Sequence, residues 1–422
     1  MYKRQDKGEY KSIPFEWEIG NEGKCSIIAS ESTFSELRLV LTQPSFSSLL
    51  NGSNDDEASS VQVDSSRFIY VAGETNSQDF PITAGAYQTT LKNSRDCFIA
   101  KYSPVGSQLI YSTFVGGDGI DRALDIAVHN DGKVYITGST TSDNFPLSTN
   151  PFQNKRKNLD QGSDAFIAAL QSDGKSLLYS SYFGGQFNDV SESIVSDKSG
   201  FIYITGKTDG PKEFPIKNAF QTVFGGGTSD GFITKFSPDL SSIIYSSFLG
   251  GELDDYPNAL TVNDSGSVFV VGQTQSRKFP VTPFTVSNVF AGGIFDSFIT
   301  RISNDGSSIS YSALIGGSGD DIATSIVTDI FDNAYVVGNS NSANFPITVI
   351  AADTSYNGKT DAYCYKLSPN GGRFLFSSFI GGTNDEYARS VSIDPCFAVY
   401  ISGYTNSNDI PISDNPIQNQ LG

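Results

Sequence analysis

Short runs of alternating apolar and polar residues recur along the whole chain, each bounded by Gly, Asn, Asp or Ser. Alternation with a period of two puts one set of side chains on each face of a pleated strand, and the small polar residues supply turns. In DCFIAKYSP, Phe98, Ala100 and Tyr102 point one way while Ile99 and Lys101 point the other. There is no long amphipathic helical pattern and no stretch of 18 apolar residues, so the pattern predicts an all-β chain without a membrane-spanning helix.

The runs form a repeat. Phe-Pro, or Ile-Pro in the last copy, sets prolines at 81, 146, 215, 280, 346 and 411, in steps of 65, 69, 65, 66 and 65 residues. Before each proline lies one strand-like motif: IYVAGET (Ile69–Thr75), VYITGST (Val134–Thr140), IYITGKT, VFVVGQT, AYVVGNS and VYISGYT. After it come Asp-x-Phe/Tyr segments beginning at Asp96, Asp164, Asp230, Asp296 and Asp361. A Tyr/Phe-Ser run then closes each copy on a second glycine at 117, 185, 251, 317 and 382. Every unit thus holds four short strands. One such sheet cannot bury both of its faces, so neighbouring units must stack face to face as the blades of a single β-propeller. A β-helix would need much shorter coils.

These motifs resemble those of the bacterial seven-bladed beta-propeller (SBBP) repeat family, over a span from about Leu37 to Ile417. The resemblance implies the propeller fold and an extracellular or cell-surface protein, and it implies no particular chemistry. The opening MYKRQDKGEYK is polar and shows no signal peptide. The copies number six rather than seven. Six inner hairpins end near Thr75, Thr140, Thr208, Thr274, Ser340 and Thr405, but only five full outer hairpins follow them. Glu36–Gly52 (ELRLVLTQPSFSSLLNG) reads as a degenerate sixth outer hairpin that completes the blade begun by the C-terminal inner strands and closes the ring. Residues 1–35 are then an extension packed on a propeller of residues 36–422. The alternative is a seventh blade built from the strand-like FEWEIG, KCSIIAS and ELRLVL between Pro14 and Leu41.

Charge narrows the partners. With 28 basic and 46 acidic residues the net charge is −18, which repels a phosphate backbone and argues against nucleic acid. It leaves plain solubility or a cation-binding face. Cys25, Cys97, Cys364 and Cys396 lie far apart with no C-x-x-C pair, a spacing that predicts neither zinc site nor disulfide framework.

One position is acidic in every copy. Four residues past the second glycine stand Asp56, Asp121, Asp189, Asp255, Asp321 and Glu386, and the residue before is often polar too: Asp55, Asn188, Asp254, Asp320, Asp385. In a closed propeller these acids would ring one channel mouth. Carboxylates gathered there could bind Ca²⁺, the one cofactor the sequence raises. Alternatively each carboxylate accepts backbone N–H groups and fixes its own turn.

His129 is the chain's single histidine and falls in a short turn on the opposite face, so no Ser-His-Asp or Cys-His set is apparent. The expectation is a non-enzymatic binding module whose long Phe-Pro loops face a protein or glycan. Copy-specific loop stretches are KRKNLDQG (Lys155 to Gly162), FGGGTSD (Phe224 to Asp230) and FAGGIFD (Phe290 to Asp296). The alternative is a polysaccharide hydrolase or lyase that works with two of the ring carboxylates.

Overall fold

β-Branched and aromatic residues occupy the alternating positions of each run, and every run from Asp56 onward becomes a strand of seven or eight residues. The computed structural model describes residues 48–411 except 93, 159–161 and 358, together with four short strands nearer the N-terminus. No helix occurs among the described residues.

Five units are four-stranded antiparallel meanders, spanning 56–115, 121–183, 189–249, 255–315 and 321–380, and a sixth, 386–405, has two strands. In unit four the order is Asp255–Val262, Val268–Thr274, Asp296–Ile302 and Ile309–Ile315, each strand paired with the next. The first strand of every unit lies against the first strand of the following one, from unit one to unit six. First strands therefore gather on the inside and fourth strands lie outermost, the radial stacking of a propeller.

The core is made between sheets. Phe269, Val271 and Ile299 of unit four share a cluster with Ala323, Ile326 and Val336 of unit five, and Ile167 and Phe183 of unit two share one with Ile204 and Phe232 of unit three. The phenylalanines of Phe-Pro act as plugs in it. Phe80, Phe145, Phe214, Phe279 and Phe345 are buried, each ring 4.4–5.1 Å from Phe98, Phe166, Phe232, Phe298 or Tyr363 of its own third strand.

The long connection from second to third strand does more than cross the loop face. It runs along the fourth strand, where Thr83, Thr282 and Thr348 N–H donate to the carbonyls of Ser112, Ser312 and Ser377. It also reaches the next unit: Tyr87 N–H donates to Gly174 O at 3.0 Å and Val286 N–H to Gly371 O at 2.9 Å.

Each first strand carries a bulge. In unit four the register shifts between Pro257 and Ala259, leaving Asn258 unopposed, and the displaced carbonyl of Tyr256 presses on Gly272 of the second strand. A Cβ on Gly272 would lie 2.0 Å from that oxygen. The same glycine recurs at 73, 138, 206, 338 and 403 with the same close approach.

Near the N-terminus, Tyr2–Asp6 pairs with Glu9–Ile13 and Trp17–Ile19 with Cys25–Ile27. The strand-like FEWEIG and KCSIIAS stretches thus pair with each other. ELRLVL and most of the Glu36–Gly52 hairpin lie outside the described residues.

Candidate functional site

The repeated acids open the first strands. Asp121, Asp189, Asp255 and Asp321 are fully buried, Glu386 nearly so, and Asp56 half-buried. Each accepts the N–H of the second glycine four residues earlier, at 2.6–2.8 Å: Gly52, Gly117, Gly185, Gly251, Gly317 and Gly382. The end of the second strand supplies two more donors. Asp255 takes the hydroxyls of Thr274 and, at 3.0 Å, Ser276. Asp321 takes those of Ser340 and Ser342 at 2.5 and 2.8 Å. The serine passes the order on, since Ser276 Oγ accepts Leu253 N–H and Ser342 Oγ accepts Gly319 N–H, both at 2.8 Å. A Gly-Gly, an acid and a Thr/Ser-x-Ser thus lock three chain segments where one unit hands over to the next.

Unit three departs from this pattern. Gly210 replaces the serine, Thr208 Oγ1 donates to Gly210 O instead, and Asp189 Oδ1 is buried without a partner.

The second polar position reaches back to the preceding unit. Asp254 Oδ1 accepts the N–H groups of Thr228 and Ser229, and Asp320 Oδ1 those of Ile294 and Phe295. The Gly-rich stretches FGGGTSD and FAGGIFD are therefore turns clasped by the next unit's acid. Asp55 lies 3.8 Å from Arg95, whose guanidinium also pairs with Glu74. Asn54, Asp55, Asp56, Glu57 and Arg95 line a cavity of 530 Å³ beside the first strand.

Each of the repeated acids thus holds the turn at its own junction. Among the described residues no three His, Cys, Asp or Glu side chains come together as a metal site would require. His129 sits in its short turn, 3.0 Å from Asp131.

Three stretches of the sequence, residues 46–81, 178–215 and 310–346, match the profile of the SBBP beta-propeller repeat. The matches at 178–215 and 310–346 run from a fourth strand through the lock to Phe-Pro, and the match at 46–81 takes in the lock at Gly52 and Asp56 and ends at Pro81. Those three stretches carry the SBBP beta-propeller repeat. No curated protein matches it. Among solved structures it is similar to the WD40 domain of Pan2 from Neurospora crassa (9% identity over 86% of this chain and 91% of that one, TM-score 0.40). It is also similar to the β-propeller domain of the Trilobed protease from Pyrococcus furiosus (10%, 82% and 77%, TM-score 0.39). A protein of unknown function from Dyadobacter fermentans is a third (10%, 87% and 94%, TM-score 0.43).

The units hold a second set of acids, which the sequence displays at the start of the Asp-x-Phe/Tyr segments. Asp96, Asp164, Asp230, Asp296 and Asp361 open the third strands and are fully buried. Asp96 Oδ2 accepts Gln88 Nε2 and Lys92 N–H, and Asp296 Oδ2 accepts Ala291 N–H, so each pins the end of the long connection. Their recurrence in phase with Gly-Gly was the available signal.

The copies differ most at the rim of this face. Phe187 and Leu253 occupy the second residue after Gly-Gly in units three and four, where the other units have Gly or Asn. Both are exposed, as are Val223, Val289 and Ile294 on the long connections.

Proposed function

We propose that the chain is a non-enzymatic interaction module, displayed outside the cytoplasm, whose loop face takes a protein or glycan partner. The observation that carries this is the contrast between repeated and copy-specific residues. The repeated acids are engaged in turns, whereas Phe187, Val223, Leu253, Val289 and Ile294 vary among copies and stand in solvent. Exposed apolar side chains on copy-specific loops are what a docking surface offers a partner. A propeller serves as an interaction scaffold in general terms, and the site, rather than the fold, sets the partner. With purified protein on arrays of immobilised polysaccharides and surface-protein extracts, V223D/L253D is expected to lose binding about tenfold or more with its melting temperature held. Undiminished binding by that variant would move the site off this face.

Ring closure belongs to the same proposal. We infer that residues 36–50 supply the third and fourth strands of unit six. Gly52 N–H donates to Asp56 Oδ2 at 2.7 Å, as Gly251 does to Asp255, so the chain reaches unit one the way it reaches every other unit from a fourth strand. Both sides of the seam expose what other copies bury. Tyr400 is 52% exposed against 0–4% for Tyr70, Tyr135, Tyr203, Phe269 and Tyr335, and Val61 is 59% exposed against 0–6% for Ile126, Ile194, Leu260, Ile326 and Val391. Deleting residues 1–47 is expected to lower the calorimetric melting temperature by about 10 °C or more, while deleting 1–35 changes it by only a few degrees. Equal melting of the two truncations would sink the closure.

A further inference from the structure

The two sets of acids meet. At four junctions the third-strand acid of one unit faces the first-strand acid of the next across the first glycine of Gly-Gly. The point where a Cβ on Gly116 would stand is 2.5 Å from Asp96 Oδ1 and 2.9 Å from Asp121 Oδ2. At Gly250 the same point is 2.7 Å from Asp230 Oδ1 and 2.8 Å from Asp255 Oδ2. At Gly316 it is 2.6 Å from Asp296 Oδ1 and 2.7 Å from Asp321 Oδ2, and at Gly381 it is 3.1 Å from Asp361 Oδ1 and 3.0 Å from Glu386 Oε2.

In all four pairs the third-strand oxygen that faces its partner is buried and has no hydrogen-bond partner: Asp96, Asp230, Asp296 and Asp361 Oδ1. The facing oxygen accepts a glycine N–H at all four junctions and a serine hydroxyl as well at Asp121, Asp255 and Asp321, so these donors hold it as the anion of the pair. The fifth junction is different. Asp164 is satisfied on both oxygens by Gln153, Lys157 N–H and Asn158 N–H.

We propose that each of these four carboxylate pairs holds a single shared proton, so that the junctions between units form a pH-sensitive clamp that tightens in mild acid. The proton sits on the third-strand Oδ1, the oxygen turned toward the facing first-strand carboxylate. As the pH rises it leaves to water, and two anions then face each other in a site closed to solvent. Like charges so placed disfavour double ionisation, and the pair titrates as a unit.

The surroundings favour this. Burial first, and then the facing carboxylate, pushes Asp96, Asp230 and Asp296 up to about 7 and Asp361 up to about 6, against backbone N–H donors that pull the other way. Burial also raises Asp121, and it takes Asp255 and Asp321 to about 6. Lys92 faces Asp96 and works against the shift, and burial first, then Asp121 and Asp96, pushes the Cys97 thiol up. The other facing charges are acidic: Asp118 beside Asp121, Asp254 beside Asp230 and Asp255, Asp320 beside Asp296 and Asp321, Asp353 and Asp385 beside Asp361. The hydroxyls of Tyr256, Tyr356 and Tyr363 lie near these pairs and stay neutral in this range. Acids raised on folding stabilise the protein fully below the ordinary carboxylate range near 4, and that contribution is lost as the pH climbs through about 6 to 7.

The test is a melting series from pH 4.5 to 8.5 on the full chain carrying H129Q, so that no imidazole contributes. The melting temperature is expected to be at least about 5 °C higher at pH 5 than at pH 8. D230N and D296N, which place a permanent N–H donor where the proton would be, should keep the acid-side value and flatten the slope. Infrared difference spectra of the folded protein should show a protonated-carboxyl C=O band near pH 6 that weakens in each Asn variant, a readout that survives even if a variant folds poorly. Melting that is flat with pH, or highest at pH 8, would overturn the proposal. So would a rise at pH 8 on adding Ca²⁺ or Mg²⁺ that D230N abolishes, since the pairs would then hold a cation.

Discussion

Replacing Gly272 by Ala is expected to destabilise the protein by about 3 kcal/mol or more, and in practice to prevent its folding at 37 °C. The new Cβ would be placed 2.0 Å from the carbonyl oxygen of Tyr256 and 2.7 Å from the Cα of Pro257. Neither is the movable end of a side chain. Relief would require the bulge in the first strand to shift, and that strand is the one through which unit four packs on its neighbours. Gly85 provides the comparison. It adopts a φ of +78° with open space around it, so G85A should cost only about 1 kcal/mol from its left-handed backbone. Urea denaturation of the two variants separates steric exclusion from backbone preference. A small loss in G272A would mean that the bulge yields.

The second large effect is expected at Asp255. D255A strips the acceptor from Gly251 N–H, from the Thr274 hydroxyl and from the Ser276 hydroxyl inside a junction sealed from water. Leaving such donors unpaired costs roughly 1–3 kcal/mol for each that finds no substitute, and with hydroxyls able to turn elsewhere the total is expected at about 3 kcal/mol. D255N retains an acceptor and should recover more than half. D189A should cost less, because Asp189 already lacks the serine and Thr208 already looks elsewhere. Equal losses in D255A and D189A would show that the glycine N–H alone carries the lock.

Much of this was readable in the chain. The Phe-Pro ruler and the four runs of each unit correspond to the sheets observed from Asp56 to Thr405, because period-two alternation and turn residues are local properties. The acid after Gly-Gly was legible as a position, and the sequence left it two roles, ringing a channel mouth or fixing its own turn. A carboxylate that repeats in sequence can repeat around a rim or repeat inside junctions, and burial decides which. Asp254 and Asp320 drew notice as companions in a ligand set, whereas their partners are N–H groups 25 or 26 residues earlier, a separation that sequence spacing does not reveal. The opening acids of the third strands were passed over because each reads locally as an ordinary strand boundary. Only the fold brings Asp230 up to Asp255.

The same handover geometry bears on how such a chain can change its length. Every lock is assembled from the tail of one unit and the head of the next, using residue types that recur in almost every copy. Gene duplication or loss of one whole period therefore recreates a matched joint wherever the cut falls, while a cut that removes a fraction of a period strands an acid from its glycine. Natural variants of this architecture should differ by complete units, and the odd junction at Asp189 marks where an added unit would be least firmly seated.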